Sequence, residues 1–365
     1  MKRRIYIVLT LIAACVIAAG CATLYGTHAD NEARLLFCGD VMLDWGIRDV
    51  CAKEGYAYPL KKISGFLSSF DYCFCNLECP VSSTGEPHID KKYIFLAEPE
   101  SVEVLVRGSI RGVSLANNHM LDFGMDAMLN TAAILAKNGI RSTGAGLDYD
   151  DAHLPVLAVI NSSRIAISAY TNIGYADTYA TRTSPGLAMA SADAIRKDIQ
   201  RLRNYNDIII VVLHWGDEYS DYPTQGQIDL AHAVIDSGAD AVIGHHSHVY
   251  QGVEIYRKKP IFYSLGNFLF GSTNENGRDN IVAALWIKGG RLASLTVYAV
   301  NGNKDAASRF QPRLMSGNDA DTLLRHLIDI SRPLGSDFPK NAVIADGSCV
   351  YEFITPAIDS TPHEK

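Results

Sequence analysis

Five short polar signatures, each with residues that can bind a metal, are spread along this chain. Several come directly after an apolar run: Val242 and Ile243 precede the last one, and the run 208–213 leads into His214. Because polar residues at strand ends converge on one edge of a sheet, we expect the signatures to form one site. They are Cys-Gly-Asp-Val-Met at 38–42, Cys-Asn-Leu-Glu-Cys at 75–79, Ala-Asn-Asn-His at 116–119, Leu-His-Trp-Gly-Asp-Glu-Tyr at 213–219 and Gly-His-His-Ser-His at 244–248.

The residue types in these signatures suit a pair of divalent cations, which prefers a bridging carboxylate, an amide oxygen and imidazoles. Glu78 could bridge two cations, and Asn118 could give a carbonyl oxygen. In an extended stretch His246 and His248 lie on the same face, so both could reach one centre. The predicted metal ligands are Asp40, Asn76, Glu78, Asn118, His214, His246 and His248.

A proton-transfer pair is predicted beside the ligands. His119 is adjacent to Asn118 and could protonate a leaving-group oxygen as a general acid. Asp122, three residues further on, could orient its ring. Contact with a substrate is predicted for His245, Glu218 and Asn117.

Ordinary structural roles also fit single members of this set. An Asp after a Gly is typical of a turn. Asn76 could be a ligand or could fix the loop that carries Glu78, and Glu218 could line a pocket or shape its own loop. Residues 87–95, with Lys91 and Lys92, could meet an anionic chain or form a solvated loop. Three imidazoles within four positions after a buried strand are harder to explain without a role.

Alternating strands and helices must position these residues. Strands are predicted at 35–37, 72–75, 113–116, 164–170, 208–213, 241–243 and 260–264, and helices at 125–138, 191–205, 227–237 and 321–330. Gly289-Gly290, between apolar segments 281–287 and 292–300, indicates a hairpin. This alternation predicts a layered α/β fold in one large domain.

The bulk composition narrows the function classes. With 365 residues, 48% of them hydrophobic, the chain can bury a large core. The net charge of −7 argues against nucleic acid as the partner. Apart from Cys15 and Cys21, the cysteines fit either buried free thiols or one or two disulfides, and the spacing of Cys73, Cys75 and Cys79 is not that of common zinc sites.

The N-terminus predicts export from the cytoplasm. Three basic residues at 2–4 precede an apolar run at 5–19 and then Gly20-Cys21, which is typical of a signal peptide over 1–21. The residues before Cys21 resemble a bacterial lipobox, in which this cysteine is lipidated; an uncleaved signal anchor and simple secretion remain alternatives. A tether at 22–33, a body at 34–356 and a tail at 357–365 follow. All three alternatives place the body on the extracytoplasmic side of the cell envelope.

Taken together, the motifs resemble the CapA family of capsule or poly-γ-glutamate biosynthesis proteins, within the calcineurin-like metallophosphoesterase superfamily. The resemblance covers about residues 35–355. Its motifs are Gly39-Asp40-Val41-Met42, Asn76-Leu77-Glu78, the run 114–124, Gly144-Ala145-Gly146, and the runs 214–219, 238–249 and 263–268.

The resemblance implies a four-layer α/β/β/α sandwich with a site for two divalent cations. Mn, Fe and Zn all suit a site of mixed nitrogen and oxygen ligands. It also implies that Asn118 is a ligand, that His119 is the acid, and that the Gly-His-x-His signature maps to His246 and His248. Glu78 stands where a bridging Asp is usual, and His245 where a Gly is usual. Met42 stands where the superfamily has a His, which removes one ligand unless Asn76 or another group compensates.

Three functions remain compatible with these residues. The first, which we favour, is a metal-dependent hydrolase of a phosphoester or amide that serves capsule or poly-γ-glutamate biosynthesis or export. The second is a non-catalytic, metal-dependent binder or anchor of an anionic polymer. The third is a structural envelope protein with a vestigial site. The expected partners are the polymer, the membrane and capsule-synthesis membrane proteins.

Overall fold

The computed structural model of the chain describes residues 32–88, 91–272, 278–302 and 309–353. The predicted signal peptide, Cys21, most of the tether and the tail lie outside the described residues. The first strand begins at Glu32, two residues before the predicted start of the body, because its backbone pairs with Lys288. No helix in the described ranges is both long enough and apolar enough to cross a membrane.

Strands and helices alternate through most of the described chain. The strands are β1 Glu32–Met42, β2 Tyr72–Leu77, β3 Ile110–Ser114, β4 Arg141–Thr143, β5 Ala145–Gly146, β6 Val156–Ile160, β7 Ser163–Thr171, β8 Gly186–Leu187, β9 Ile208–His214, β10 Ala241–His245, β11 Val253–Tyr256, β12 Lys259–Phe262, β13 Asn267–Phe270, β14 Asn280–Lys288, β15 Arg291–Val300, β16 Val343–Ala345 and β17 Ser348–Glu352. The helices are α1 Gly46–Glu54, α2 Ser64–Leu67, α3 Val102–Arg107, α4 Gly124–Lys137, α5 Tyr149–Ala152, α6 Ala192–Arg203, α7 Gln225–Asp236, α8 Gly317–Ser331 and α9 Phe338–Asn341.

Two large sheets carry the fold. The first runs in the order β16-β17-β15-β14-β1-β2-β3-β4, and β13 also pairs with β1. The second runs in the order β11-β12-β10-β9-β7-β6. In the first sheet β1, β2 and β3 are parallel to one another, and in the second β7, β9 and β10 are parallel. Their carboxyl ends are where polar residues are expected to meet.

Three hydrophobic cores show that the chain has the predicted four layers. On β1, Leu35 and Phe37 face the core between the sheets, whereas Leu36 and Cys38 face the outer core, as the two-residue period of a strand requires. Helices α1, α3 and α4 cover that outer face, and α6 and α7 cover the outer face of the second sheet. Each large apolar side chain buried in these cores contributes about 1.5–3 kcal/mol to folding.

Several predicted elements are present with small shifts at their ends. The Ser191 hydroxyl accepts a hydrogen bond from the Ala194 backbone N–H, so Ser191, the first residue of the predicted helix 191–205, caps α6. The hairpin of β14 and β15 turns at Gly289 and Gly290, both with positive φ. The cysteines of the described chain are buried free thiols, which resolves the alternative with disulfides: Cys38, Cys51, Cys73, Cys75, Cys79 and Cys349.

Candidate metal centre

Residues at the ends of β1 and β2 form the first half of the site. Asp40 lies opposite Asn76 in the parallel register. The Asn76 side-chain amide donates to Asp40 Oδ1 at 2.9 Å and to Glu78 Oε2 at 3.3 Å. Both carboxylates are fully buried. A strand-end asparagine therefore holds two carboxylates in fixed orientations.

Residues at the ends of β9 and β10 form the second half. His214 lies opposite His245 in the parallel register. Beyond β10 the chain turns sharply, with φ of 96° at His246 and 57° at His248. Positive φ is unfavourable for residues with a Cβ and is concentrated at functional sites, where the surrounding structure maintains it. The turn places both imidazoles against the carboxylates of the first sheet.

The two halves meet as two candidate ligand groups that share one carboxylate. Asp40, Glu78 and His248 form one group, and Glu78, His214 and His246 form the other. Within each group the candidate ligand atoms lie within 4.8 Å of one another. Glu78 Oε1 lies 3.8 Å from His214 Nε2 and 3.9 Å from His248 Nε2. This arrangement fits a carboxylate that bridges two cations, as predicted.

Buried polar atoms without hydrogen-bond partners test whether a cation fits here. Glu78 Oε1 and His246 Nδ1 are both buried and make no hydrogen bond within the described chain. Burial, and then the negative charge of Asp40, raise the pKa of Glu78 well above its usual value. A cation beside the carboxylate would reverse this effect and give the orphaned atoms a partner. The residues present therefore fit divalent metal.

The charge states of the other groups also suit metal binding. Burial, and then the neighbouring His246, hold the pKa of His214 well below its usual value. Burial lowers the pKa of His246 to about 4, with His248 adding to the effect. Burial alone would raise the pKa of Asp40, but His245 and His248 outweigh it and lower the pKa. Neutral imidazoles and an ionised carboxylate are the forms that bind metals.

Two amide side chains hold the imidazoles in place. Asn118 Oδ1 lies 2.7 Å from His214 Nε2, beside the second ligand group. Asn267 Oδ1 lies 3.0 Å from His248 Nδ1. Asn267 therefore leaves His248 Nε2, the nitrogen that faces Glu78, for a metal. Asn118 instead lies against the same His214 nitrogen that faces Glu78. Asn267 was not predicted as a site residue, although it belongs to the motif at 263–268 and β13 pairs it with Asp40.

The predicted proton-transfer pair is formed by a local turn. His119 Nδ1 lies 2.8 Å from Asp122 Oδ2, and Asp122 is fully buried. Phe95 packs on the His119 ring with a centroid distance of 4.2 Å. Burial lowers the pKa of His119, although the hydrogen bond to Asp122 opposes this shift.

Three predicted residues lie beneath the centre or at its edge. Asn117 and His245, predicted to contact substrate, are both buried: the Asn117 amide donates to Asn76 Oδ1 at 3.1 Å, and His245 Nδ1 lies 2.9 Å from Asp40 Oδ1. These positions support the ligands. The Asn76 amide nitrogen faces both carboxylates, as its loop-fixing role requires, and its role as a ligand stays a prediction. Glu218 is exposed on the loop after β9.

Met42 supplies no ligand. Its side chain is fully buried in the outer core, and its sulfur accepts a hydrogen bond from the Asp44 backbone N–H at 3.2 Å. The first ligand group therefore consists of Asp40, Glu78 and His248 without a contribution from position 42.

A pocket of about 390 Å³ opens beside the second ligand group. Asn118 and Lys91 form the wall next to the centre, and His88, Ile173, Tyr175 and Thr178 are among the other lining residues. The mixed polar and apolar lining, next to a candidate metal ligand, is typical of a ligand pocket.

Comparisons with known proteins show the family of the chain. The model of the bacterial capsule synthesis protein family PGA_cap matches residues 34–272. The capsule biosynthesis protein CapA of Bacillus anthracis is 30% identical over 82% of this chain and 76% of that protein. The PGA biosynthesis protein CapA of Bacillus subtilis is 31% identical over 72% of this chain and 70% of its own length.

Solved structures give weaker likenesses. A hypothetical protein from Thermus thermophilus aligns with a TM-score of 0.46 at 17% identity, over 73% of this chain and 98% of that one. A putative 5′-nucleotidase from Staphylococcus aureus aligns with a TM-score of 0.46 at 11% identity, over 82% of this chain and 58% of its own. The family match and the similarity to the two CapA proteins show that the chain belongs to the bacterial capsule synthesis protein family PGA_cap.

Proposed function

We propose that this protein is a metal-dependent hydrolase of the cell envelope that cleaves a phosphoester or amide bond during the synthesis or export of an anionic capsule polymer. The family and the names of its relatives support the polymer context. The main support for hydrolase activity is that Glu78 belongs to two ligand groups and that His119 lies near them.

Two divalent cations in this centre would supply Lewis-acid stabilisation of the charge that develops on a phosphoryl or carbonyl oxygen. The chain itself supplies the proton transfer. Asp122 accepts from His119 Nδ1, which leaves Nε2 as the ring atom that can hold a proton for a leaving group. The pocket beside Asn118 can hold the part of the substrate attached to that group.

The envelope location is part of the proposal and rests on the sequence. Basic residues at 2–4, the apolar run 5–19 and Cys21 support export followed by lipid anchoring. Labelling growing cells with a radioactive fatty acid tests this: label on the wild-type protein and none on the Cys21→Ala variant is expected. Equal label on both would reject the lipid anchor.

The hydrolase is tested with the full-length protein purified without chelators. We expect metal-dependent turnover of at least one of two chromogenic probes, bis-p-nitrophenyl phosphate or γ-glutamyl-p-nitroanilide. The turnover should disappear with chelator and return with Mn²⁺ or Zn²⁺. A fully metal-loaded protein that turns over neither probe, nor purified poly-γ-glutamate, would reject this activity.

One observation favours a second candidate, a non-catalytic binder of an anionic polymer. Because Met42 lies in the core, the first group has fewer ligands than the superfamily pattern supplies. A cation held there could bind polymer carboxylates without cleaving the chain. Metal-dependent retention of poly-γ-glutamate, with no change in its length, would support this candidate.

A further inference from the structure

Lys91 does not present a free charge to the pocket. Its ammonium donates to the Asn118 backbone carbonyl at 2.6 Å and also to Asp122 Oδ1. The side chain is 19% exposed and that of Asp122 is not exposed at all. Residues 87–95 were predicted either to meet an anionic chain or to form a solvated loop. Contact of Lys91 with an anionic chain is unsupported, because the Lys91 ammonium points into the protein.

Asp122 connects this segment to the His119 ring. Its carboxylate accepts from Lys91, from the Phe95 backbone N–H at 2.8 Å and from His119 Nδ1. Its backbone carbonyl accepts from the His88 N–H at 2.8 Å. His88 and Phe95 are thus both fastened to the residue that orients the predicted acid.

We propose that Lys91 is a positioning residue for the reaction. By binding Asn118 and Asp122 together, it sets the placement of a metal ligand relative to the residue that orients His119. This inference rests on the proposed hydrolase and goes beyond it, because it assigns a role to a residue outside the ligand set and the proton-transfer pair.

The chemistry of the Lys91 ammonium, the Asp122 carboxylate and the His119 imidazole supports this role. A fully buried carboxylate needs charged or hydrogen-bonded partners, and losing one leaves a strongly unfavourable charge. Without Lys91, the Asp122 carboxylate keeps, among the described residues, the Phe95 N–H and the imidazole as partners, so the carboxylate and the ring can rotate. Arginine keeps the charge but differs in shape and donor geometry, so it should restore the placement only in part.

The test compares three full-length variants: Lys91→Met, Lys91→Arg and the control Lys137→Met, which changes an exposed lysine on α4. Metal content, thermal unfolding, and kcat and KM for bis-p-nitrophenyl phosphate and γ-glutamyl-p-nitroanilide are measured. Lys91→Met should keep its metal and lower kcat about 10- to 100-fold, since a displacement of about 1 Å can cost that much. KM should stay within about twofold, because the Lys91 ammonium is directed at Asn118 and Asp122 and is not available to bind substrate. Lys91→Arg should recover part of kcat.

A raised KM with unchanged kcat would overturn the proposal, because Lys91 would then bind substrate. Loss of metal from Lys91→Met would also overturn the proposal, since Lys91 would then be needed to hold the metal ligands and not to position the proton-transfer pair. If the wild-type protein turns over neither probe, the proposed hydrolase activity is rejected. The positioning role of Lys91 is then tested separately by ¹⁵N NMR of the His119 ring. Altered ring shifts in Lys91→Met but not in Lys137→Met support positioning; unaltered shifts reject it.

Discussion

Glu78 Oε1 lies 3.8 Å from His214 Nε2, although Glu78 follows a strand of the first sheet and His214 ends a strand of the second. The oxygen is buried and makes no hydrogen bond with the described residues. The contact joins the two sheets at their shared edge, and Glu78 belongs to both candidate ligand groups.

Metal stoichiometry should separate the two groups. Asp40 belongs only to the first group and His246 only to the second. Asp40→Ala and His246→Ala should each lose about one equivalent of metal, and Glu78→Ala should lose both, because a site missing one of few ligands binds weakly. Mass spectrometry of metal per chain measures this. His326→Ala, an imidazole outside both groups, should keep the wild-type content. Loss of both metals from either single-group variant would contradict two separable groups.

The metal-free protein should be more stable when Glu78 is replaced by glutamine. The pKa of Glu78 is raised in the folded state, so the folded chain holds the proton more tightly than the unfolded chain. Metal-free wild type should therefore lose stability as pH rises above the ordinary glutamate value of about 4.3. Glu78→Gln removes this dependence.

Thermal unfolding in chelator at several pH values checks this expectation. Glu78→Gln should unfold at a higher temperature than wild type near pH 7, with a smaller difference near pH 4. Added metal should stabilise wild type and not the variant. An unchanged or lower unfolding temperature for metal-free Glu78→Gln at pH 7 would contradict the assignment of an unfavourable buried charge.

His119→Ala should strongly lower turnover while metal content remains that of wild type. A positioned acid contributes about 10²- to 10⁴-fold, so kcat should fall by that factor. The ring donates no ligand atom to either candidate group. Turnover of the chromogenic probes and metal content are measured on the same preparation. Undiminished turnover would reject His119 as the acid.

Gly39 should tolerate no side chain, because β1 and the Gly266 backbone approach closely. A Cβ at Gly39 would lie 1.8 Å from the Gly266 carbonyl oxygen, which also accepts from the Asp40 N–H. Gly39→Ala should lower the free energy of unfolding by about 1–3 kcal/mol and weaken metal binding by displacing Asp40. Denaturant unfolding and metal titration measure both. Gly65→Ala, where nothing lies within 4 Å of the added methyl group, is the matched control; equal effects in the two variants would contradict this explanation.

Much of the fold could be predicted from local pattern. Three features depend only on neighbouring residues and can therefore be recognised in the sequence: the two-residue period of β1, the Ser191 cap and the Gly289-Gly290 hairpin. The contact between His119 and Asp122 spans three residues and follows from one turn.

Other roles could not be predicted, because they depend on which atoms distant strands bring together. His245 and Asn117 carry polar groups like those of the ligands, but the sheet register and the stacking of the layers bury them beneath Asp40 and Asn76. From the sequence, Lys91 could have contacted solvent or substrate. In the structure its ammonium donates a hydrogen bond to Asp122.

By itself, the sequence determined the longer strands, the longer helices and the residues able to bind a metal, because period, caps and side-chain chemistry are local properties. Only the tertiary structure decided which histidines join Glu78 in each ligand group and that Met42 faces the core. Distances between residues far apart in the chain come from strand register and from the packing of one sheet on the other, and no local pattern carries that information.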